Sequence, residues 1–215
     1  TPQLTLFPYT TLFRSKNGGV FIADEVQPGF ARTGQAFFGF ARHGIVPDMI
    51  TMGKPMGNGI PISGLAAKED VLAAFSDKLP YFNTFGGNPV SIAAAQAVLK
   101  YIKDENLQEH CKKAGAALLK ALKEVQERHP ESVGDVRGAG LFLGFEFVKN
   151  DGNKTPDKDM ALNVIEMLRD EHILTSVIGH YGNILKLRPP MVFSENDIDW
   201  FATSLDKCIT KLENK

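Results

Sequence analysis

Lys54 stands directly after the apolar run of "PDMITMGK" (Pro47–Lys54) and directly before "PMGNG". A lysine amine at such a place can attack a carbonyl and carry a proton, provided it is neutral. Asp24 lies near the end of another apolar run, "GGVFIADEV" (Gly18–Val26). In open α/β sheets ligands gather beyond the carboxyl ends of the strands, so a cation and an anion delivered to that edge suit a bound cofactor. The stretch "NTFGGNP" adds Thr84, two glycines and a helix start. That combination suits a phosphate, because the first N–H groups of a helix are unpaired and sit at the positive end of its dipole. Each feature also has a plain structural reading: a surface lysine, an ion pair, a glycine turn before a capped helix. Together, a lysine, a carboxylate and a phosphate cradle are the three things that pyridoxal phosphate requires.

The elements that must position these groups read as an α/β half-domain followed by a smaller α+β unit. Gly18–Val26 reads as a buried strand, Pro47–Lys54 as a second and "SGLAAK" as a third, followed by the helix "EDVLAAF". Pro28–Gly44 is rich in Gly and Phe and reads as a loop with a helical turn or two. Asn88 as N-cap and Pro89 as first helical residue start a further helix. Asn106–His129 is amphipathic, with Leu107, Cys111, Ala114, Leu118, Leu122 and Val125 on one stripe, and Pro130 ends it. Val133–Val148 reads as strand, turn or bulge, strand; Asp159–Asp170 as a helix; "ILTSVIG" and "NILKLRPPMVF" as strands. A last helix opens at Ser194, with Asp197 three residues on as its capping partner.

Composition narrows the function classes. The 215 residues carry a formal net charge of -1, with 43% hydrophobic and 23% charged residues, which is ordinary for a globular chain. No basic stripe interleaves with aromatics, so no nucleic-acid partner is expected. No apolar run approaches the ~18–20 residues that cross a bilayer, so no membrane partner is expected and cytoplasm is the default. Two cysteines, Cys111 and Cys208, and five scattered histidines make neither a disulfide framework nor a zinc site.

"FIADEVQPGFARTG", "PDMITMGKPMGNGIP", "YFNTFGGNPVS" and "LKLRPPMVFSENDID" together resemble the class III (subgroup II) aminotransferases, fold-type I enzymes that depend on pyridoxal 5'-phosphate. The resemblance covers about residues 16 to 210, in order and without large gaps. "GKPMGNG" with "YFNTFGGNPVS" most resembles the branch that holds alanine–glyoxylate aminotransferase 2 and its phospho-lyase relatives. The resemblance implies roles residue by residue. Lys54 would form the Schiff base with the cofactor and then move a proton between the substrate Cα and the cofactor. Asp24 would pair with the pyridine nitrogen. Gln27 would hydrogen-bond the phenolic oxygen. Thr84 would reach the phosphate of the neighbouring subunit, which implies a homodimer. Gly57 and Gly59 would let backbone pass close to the site. Arg188, in "KLRPP", matches an arginine that grips a substrate carboxylate, and a guanidinium fork suits that group; a strand-end surface ion pair is its plain alternative. Arg32 and Arg137 also sit in family motifs and read as structural.

The implied reaction moves an amino group from an amine or amino acid to a 2-oxo acid of the pyruvate or glyoxylate type. A lyase that eliminates phosphate and ammonia from a phosphorylated amine shares the cofactor chemistry; the lysine that phospho-lyase relatives tend to carry at position 188 weighs against it. A non-catalytic remnant of the fold is the third possibility, and the presence of both Asp24 and Lys54 weighs against it. Enzymes of this fold type are about twice as long as this chain. Neither a Ser/Gly-rich phosphate loop nor a ring-stacking aromatic precedes Gly18. In their place stands "TLFPYTTLFRS" (Thr5–Ser15), which resembles the translation of a short-read sequencing adapter. The expected organisation is therefore a non-native stretch at 1–15, the C-terminal part of a large cofactor-binding domain at 16–105, and a linking helix with a small C-terminal domain at 106–215. The chain alone is expected to be inactive. Reading the source DNA upstream from "GGVFIADEVQ" tests this. The expected result is a continuous frame encoding a Ser/Gly-rich loop and a stacking aromatic; an encoded "TLFPYTTLFRS" after a start codon would refute it.

Overall fold

The computed structural model describes residues 16–214, so the stretch expected to be non-native lies outside the described residues. The chain divides into two compact units, Thr1–Gln108 and Glu109–Lys215.

The first unit is built on a three-stranded sheet in the order β1-β2-β3, formed by β1 (Ile22–Asp24), β2 (Met49–Met52) and β3 (Gly64–Ala67). β1 runs parallel to β2, and β3 runs antiparallel to it. The first strand is shorter than its apolar run suggested. Only Ala23 of β1 is buried, and Ile22 is 52% exposed. The reason lies in pairing: among the described residues β1 has one neighbour, so the other edge of its backbone meets no second strand. After β1 the chain enters turns and then a 3₁₀ helix, Gly39–His43. Four phenylalanines (Phe30, Phe37, Phe38 and Phe40) pack ring against ring in that segment, at centroid separations from 5.0 to 6.3 Å.

A second 3₁₀ turn, Lys54–Met56, follows β2. Helix α1 (Glu69–Ser76) follows β3, and α2 spans Pro89–Asp104. The start of α2 is as the sequence suggests. Asn88 Oδ1 accepts from the Ser91 N–H at 3.0 Å, and Pro89 occupies the first turn, where its missing N–H costs nothing.

Most of α3 (Leu107–Arg128) belongs to the second unit, which contains a four-stranded antiparallel sheet in the order β4-β5-β7-β6. Its strands are β4 (Val133–Ala139), β5 (Phe142–Phe147), β6 (Ser176–Ile178) and β7 (Ile184–Leu187). Pro189 and Pro190, which lack N–H groups for a ladder, follow one residue after the end of β7. Helices α4 (Lys158–Asp170) and α5 (Glu195–Glu213) pack on each other, and α4 lies on β5, β6 and β7. One hydrophobic core joins them. Leu143, Phe145 and Phe147 of β5 and Leu185 and Leu187 of β7 point to one face at period two. Ala161, Val164 and Leu168 of α4 and Ile198, Phe201, Leu205 and Ile209 of α5 meet them at helical spacing. The α3 stripe from Cys111 to Val125 completes that core. Cys111 and Cys208 are both buried, and burial pushes the Cys208 thiol up.

Ends and junctions of this unit are tied by specific polar contacts. Ser194 and Asp197 form the reciprocal capping box of α5. His129, 6% exposed, lies between two α5 carboxylates: its Nδ1 is 2.7 Å from Glu213 Oε2 and its Nε2 is 3.2 Å from Asp206 Oδ1. Gly115 of α3 sits against the β4–β5 turn so closely that a Cβ there would lie 2.3 Å from Gly140 Cα. Two effects oppose each other at this position. Alanine is the better helix former by about 1 kcal/mol, whereas forcing a methyl into packed backbone costs about 1–3 kcal/mol. Because the obstacle is backbone, the clash wins. Gly115→Ala is expected to lower the unfolding free energy, by up to about 2 kcal/mol, in a urea titration; an unchanged or higher midpoint would show that the turn yields.

Candidate active site

The carboxyl edge of the first unit's sheet gathers the reactive groups. Parallel pairing sets Asp24 opposite Thr51. Lys54 lies three residues beyond Thr51, as the first residue of its 3₁₀ turn. Asp24 and Lys54 thus leave adjacent strands at the same end of the sheet, and both are exposed. Asp24 Oδ1 accepts from the Val26 N–H at 3.1 Å and from Thr51 Oγ1 at 3.2 Å. Among the described residues nothing donates to Oδ2, and Lys54 makes no ion pair. The carboxylate and the amine are therefore not spent on each other.

The backbone at Lys54 has φ +25°, left-handed territory that disfavours a side chain. Holding a lysine there costs about 1–3 kcal/mol, a strain that recurs at functional sites. Gly59, at φ +107°, holds a backbone conformation after the lysine that residues with a side chain rarely adopt. The Lys54 turn packs against α2. Ser91 Oγ, on the first turn of α2, donates to Pro61 O at 3.0 Å and fastens the helix start to the segment that follows the lysine.

Gln27 lies exposed in the turn just after β1, and its side chain makes no hydrogen bond among the described residues. Thr84 is exposed in the turn that leads into α2. Asn83 Oδ1 shapes that turn by accepting from the N–H groups of Phe85 at 3.2 Å and Gly86 at 3.0 Å. Arg188 belongs to the second unit, one residue past β7. Its Nη1 donates to Leu143 O at 2.7 Å and to Leu187 O at 3.0 Å, and its Cζ lies 3.4 Å above the Phe142 ring. The guanidinium is thereby oriented by neutral groups and an aromatic face. It lines a cavity of about 480 Å³ together with Thr175, Lys186, Phe193 and Trp200. Arg137 is different: it pairs with Asp135 and Glu146 on the sheet. Burial pulls its charge down, the hydrogen bonds to Glu146 and Asp135 push it up, and the net direction is up. That is a structural ion cluster.

Two contributors escaped the sequence reading. Glu25 is 2% exposed, and its two oxygens accept from the Gly39 N–H at 2.7 Å and the Phe40 N–H at 2.8 Å. These are the leading N–H groups of the Gly39–His43 3₁₀ helix, so a buried carboxylate caps that helix and anchors the aromatic segment beside Asp24 and Gln27. Thr51 is the other. Neither carries a local signal, because both act through partners fixed by strand register or by loop folding.

The residues present fit pyridoxal phosphate: among the described residues an acceptor oxygen is left open at one strand end and an amine has no counter-ion at the next, and a capped helix start packs on the amine's turn. Comparison with known proteins points the same way. The ethanolamine-phosphate phospho-lyase homolog 1 of Caenorhabditis elegans is 44% identical over 197 residues, which cover 90% of this chain and 42% of that protein. The mitochondrial alanine–glyoxylate aminotransferase 2 homolog 2 of Arabidopsis thaliana is 41% identical, covering 92% of this chain and 41% of that protein. Among solved structures, an Arthrobacter phospholyase in complex with phosphoethanolamine superposes with a TM-score of 0.89 at 37% identity, over 94% of this chain and 49% of that one. A transaminase from the marine bacterium Virgibacillus superposes with a TM-score of 0.87 at 31% identity, over 96% of this chain and 49% of that one. The chain spans less than half the length of these relatives. The fold is thus the α/β fold of these enzymes over about half of their chains. With the family's sequence pattern matching residues 8–209, nearly end to end, this chain belongs to the class III aminotransferases.

Proposed function

We propose that this chain is the carboxyl-terminal part of a homodimeric, pyridoxal 5'-phosphate-dependent aminotransferase. It would move an amino group from an amine or amino acid to a 2-oxo acid of the pyruvate or glyoxylate type. The observation that carries the reading is the delivery of Asp24 and Lys54 to one carboxyl edge by adjacent parallel strands. Residues 16–105 would be the C-terminal part of the large cofactor-binding domain, and 106–215 the linking helix and small domain. The chain covers 41–49% of the four relatives described above, which supports a fragment, and such a fragment is expected to be inactive by itself.

Bound at that edge, the cofactor's pyridine ring would supply an electron sink for negative charge at the substrate's Cα. Asp24 would accept the ring N–H and Gln27 would hydrogen-bond the phenolic oxygen. Thr84 would donate to the phosphate in the neighbouring subunit. Lys54 Nζ would be the attachment point and the base that moves the proton at the substrate's Cα. Arg188 would hold the substrate carboxylate.

A second reading, elimination of phosphate and ammonia from a phosphorylated amine, is favoured by the 44% identity to a phospho-lyase homolog and by the phosphoethanolamine in the similar Arthrobacter structure. Products separate the two. Formation of a new amino acid from pyruvate or glyoxylate supports transfer, and release of inorganic phosphate with ammonia supports elimination.

The test of Lys54 is spectroscopic and kinetic. The full-length protein with pyridoxal 5'-phosphate is expected to show the visible absorbance of lysine-held cofactor. Lys54→Ala is expected to abolish that band and to lower turnover by about 10²- to 10⁴-fold or more, with unchanged circular dichroism. A persistent band in the variant would remove Lys54 from its role.

A further inference from the structure

The grip on Asp24 is one-sided. Both donors that reach its carboxylate, the Val26 N–H at 3.1 Å and Thr51 Oγ1 at 3.2 Å, converge on Oδ1. Among the described residues Oδ2 receives no donor. Thr51 holds the same place a second way, since its carbonyl accepts the Glu25 N–H at 2.9 Å. The parallel ladder therefore continues one residue past β1 and clamps the backbone on both sides of Asp24. The adjoining Glu25 carboxylate is in turn fixed by the Gly39 and Phe40 N–H groups. Each of these contacts acts on the position of one carboxylate at an otherwise exposed strand end.

A carboxylate with two equivalent oxygens and a free χ2 would turn either oxygen, or neither, toward a ligand. Fixing Oδ1 with two donors sets the plane of the group and reserves Oδ2 as acceptor. We infer that Thr51 is a positioning residue: its hydroxyl, with the Val26 N–H, holds Asp24 so that Oδ2 is presented to the ring N–H of the cofactor. This rests on the reading above that Asp24 partners the pyridine nitrogen. The 3.2 Å Oγ1···Oδ1 distance is long for an O–H···O bond, which points to a modest effect. Serine keeps the hydroxyl, whereas valine keeps the β-branched shape that a strand favours and removes the donor.

The experiment is a binding cycle on the full-length protein, followed by absorbance. Two probes are used: pyridoxal 5'-phosphate, and the analogue that carries C–H in place of the ring nitrogen and so has nothing for Oδ2 to accept. Thr51→Val is expected to weaken pyridoxal phosphate binding by about 3- to 10-fold while leaving the analogue's affinity within about 2-fold of wild type. Thr51→Ser is expected to restore the wild-type preference. The thermal midpoint of both variants serves as the folding control. Equal loss for both probes, or no loss for either, overturns the inference and leaves Thr51 as strand structure. A different outcome marks failure of the functional reading itself. If the wild-type protein does not distinguish the two probes, Asp24 does not partner the ring nitrogen, and the inference falls with that assignment.

Discussion

Parallel pairing between Ile22–Asp24 and Met49–Met52 is the constraint on which the site depends. It brings two sequence-distant segments to one edge and fixes their relative register. One residue of slip would send Asp24 to the opposite face, because side chains alternate along a strand. The pairing sets Asp24 beside Thr51, and Thr51 supports it with both its hydroxyl and its carbonyl. Lys54 then needs only a short turn to leave the same edge of the sheet, and it adopts a strained φ of +25° in that turn. The turn's packing on α2 and the Ser91 contact to Pro61 oppose relaxation of the strain.

Around that edge the first unit spends its buried polar contacts on holding loops. The buried Glu25 shows why: a carboxylate removed from water costs several kcal/mol unless it is fully hydrogen-bonded. Two backbone N–H groups at a helix start meet that need, and the Phe30–Phe40 segment is held as a result. The second unit follows a different economy. Its core is a continuous apolar cluster, and its polar contacts cap and join helix ends, as at Ser194–Asp197 and at His129 between Asp206 and Glu213. Arg188 sits at the boundary of these two styles, a cation fixed by two carbonyls and the Phe142 ring.

What could be read from the sequence was local. The α3 stripe, the Asn88–Pro89 helix start and the Ser194–Asp197 capping box depend on residues within a few positions of one another, and each stands in the structure as the pattern suggested. The length of β1 was overestimated, because an apolar run does not reveal how many strands will pair with it. The ring of contacts around Asp24 was illegible for the same reason. Thr51 is 27 residues away and Gly39 lies 14 residues from Glu25, so their roles exist only once register and loop path are set. The closeness of Gly115 to Gly140 likewise has no trace in either local sequence.

If the edge that holds Asp24 and Lys54 binds the cofactor with Lys54 as its attachment point, chemical trapping will find the cofactor on that lysine. The full-length protein would be incubated with pyridoxal 5'-phosphate, reduced with borohydride, digested and mapped by peptide mass. The phosphopyridoxyl mass is expected on the peptide bearing Lys54, near one per chain, and is expected to fall away in Asp24→Ala as cofactor affinity drops. Label spread over the surface lysines, with Lys54 no more modified than the rest, would contradict it.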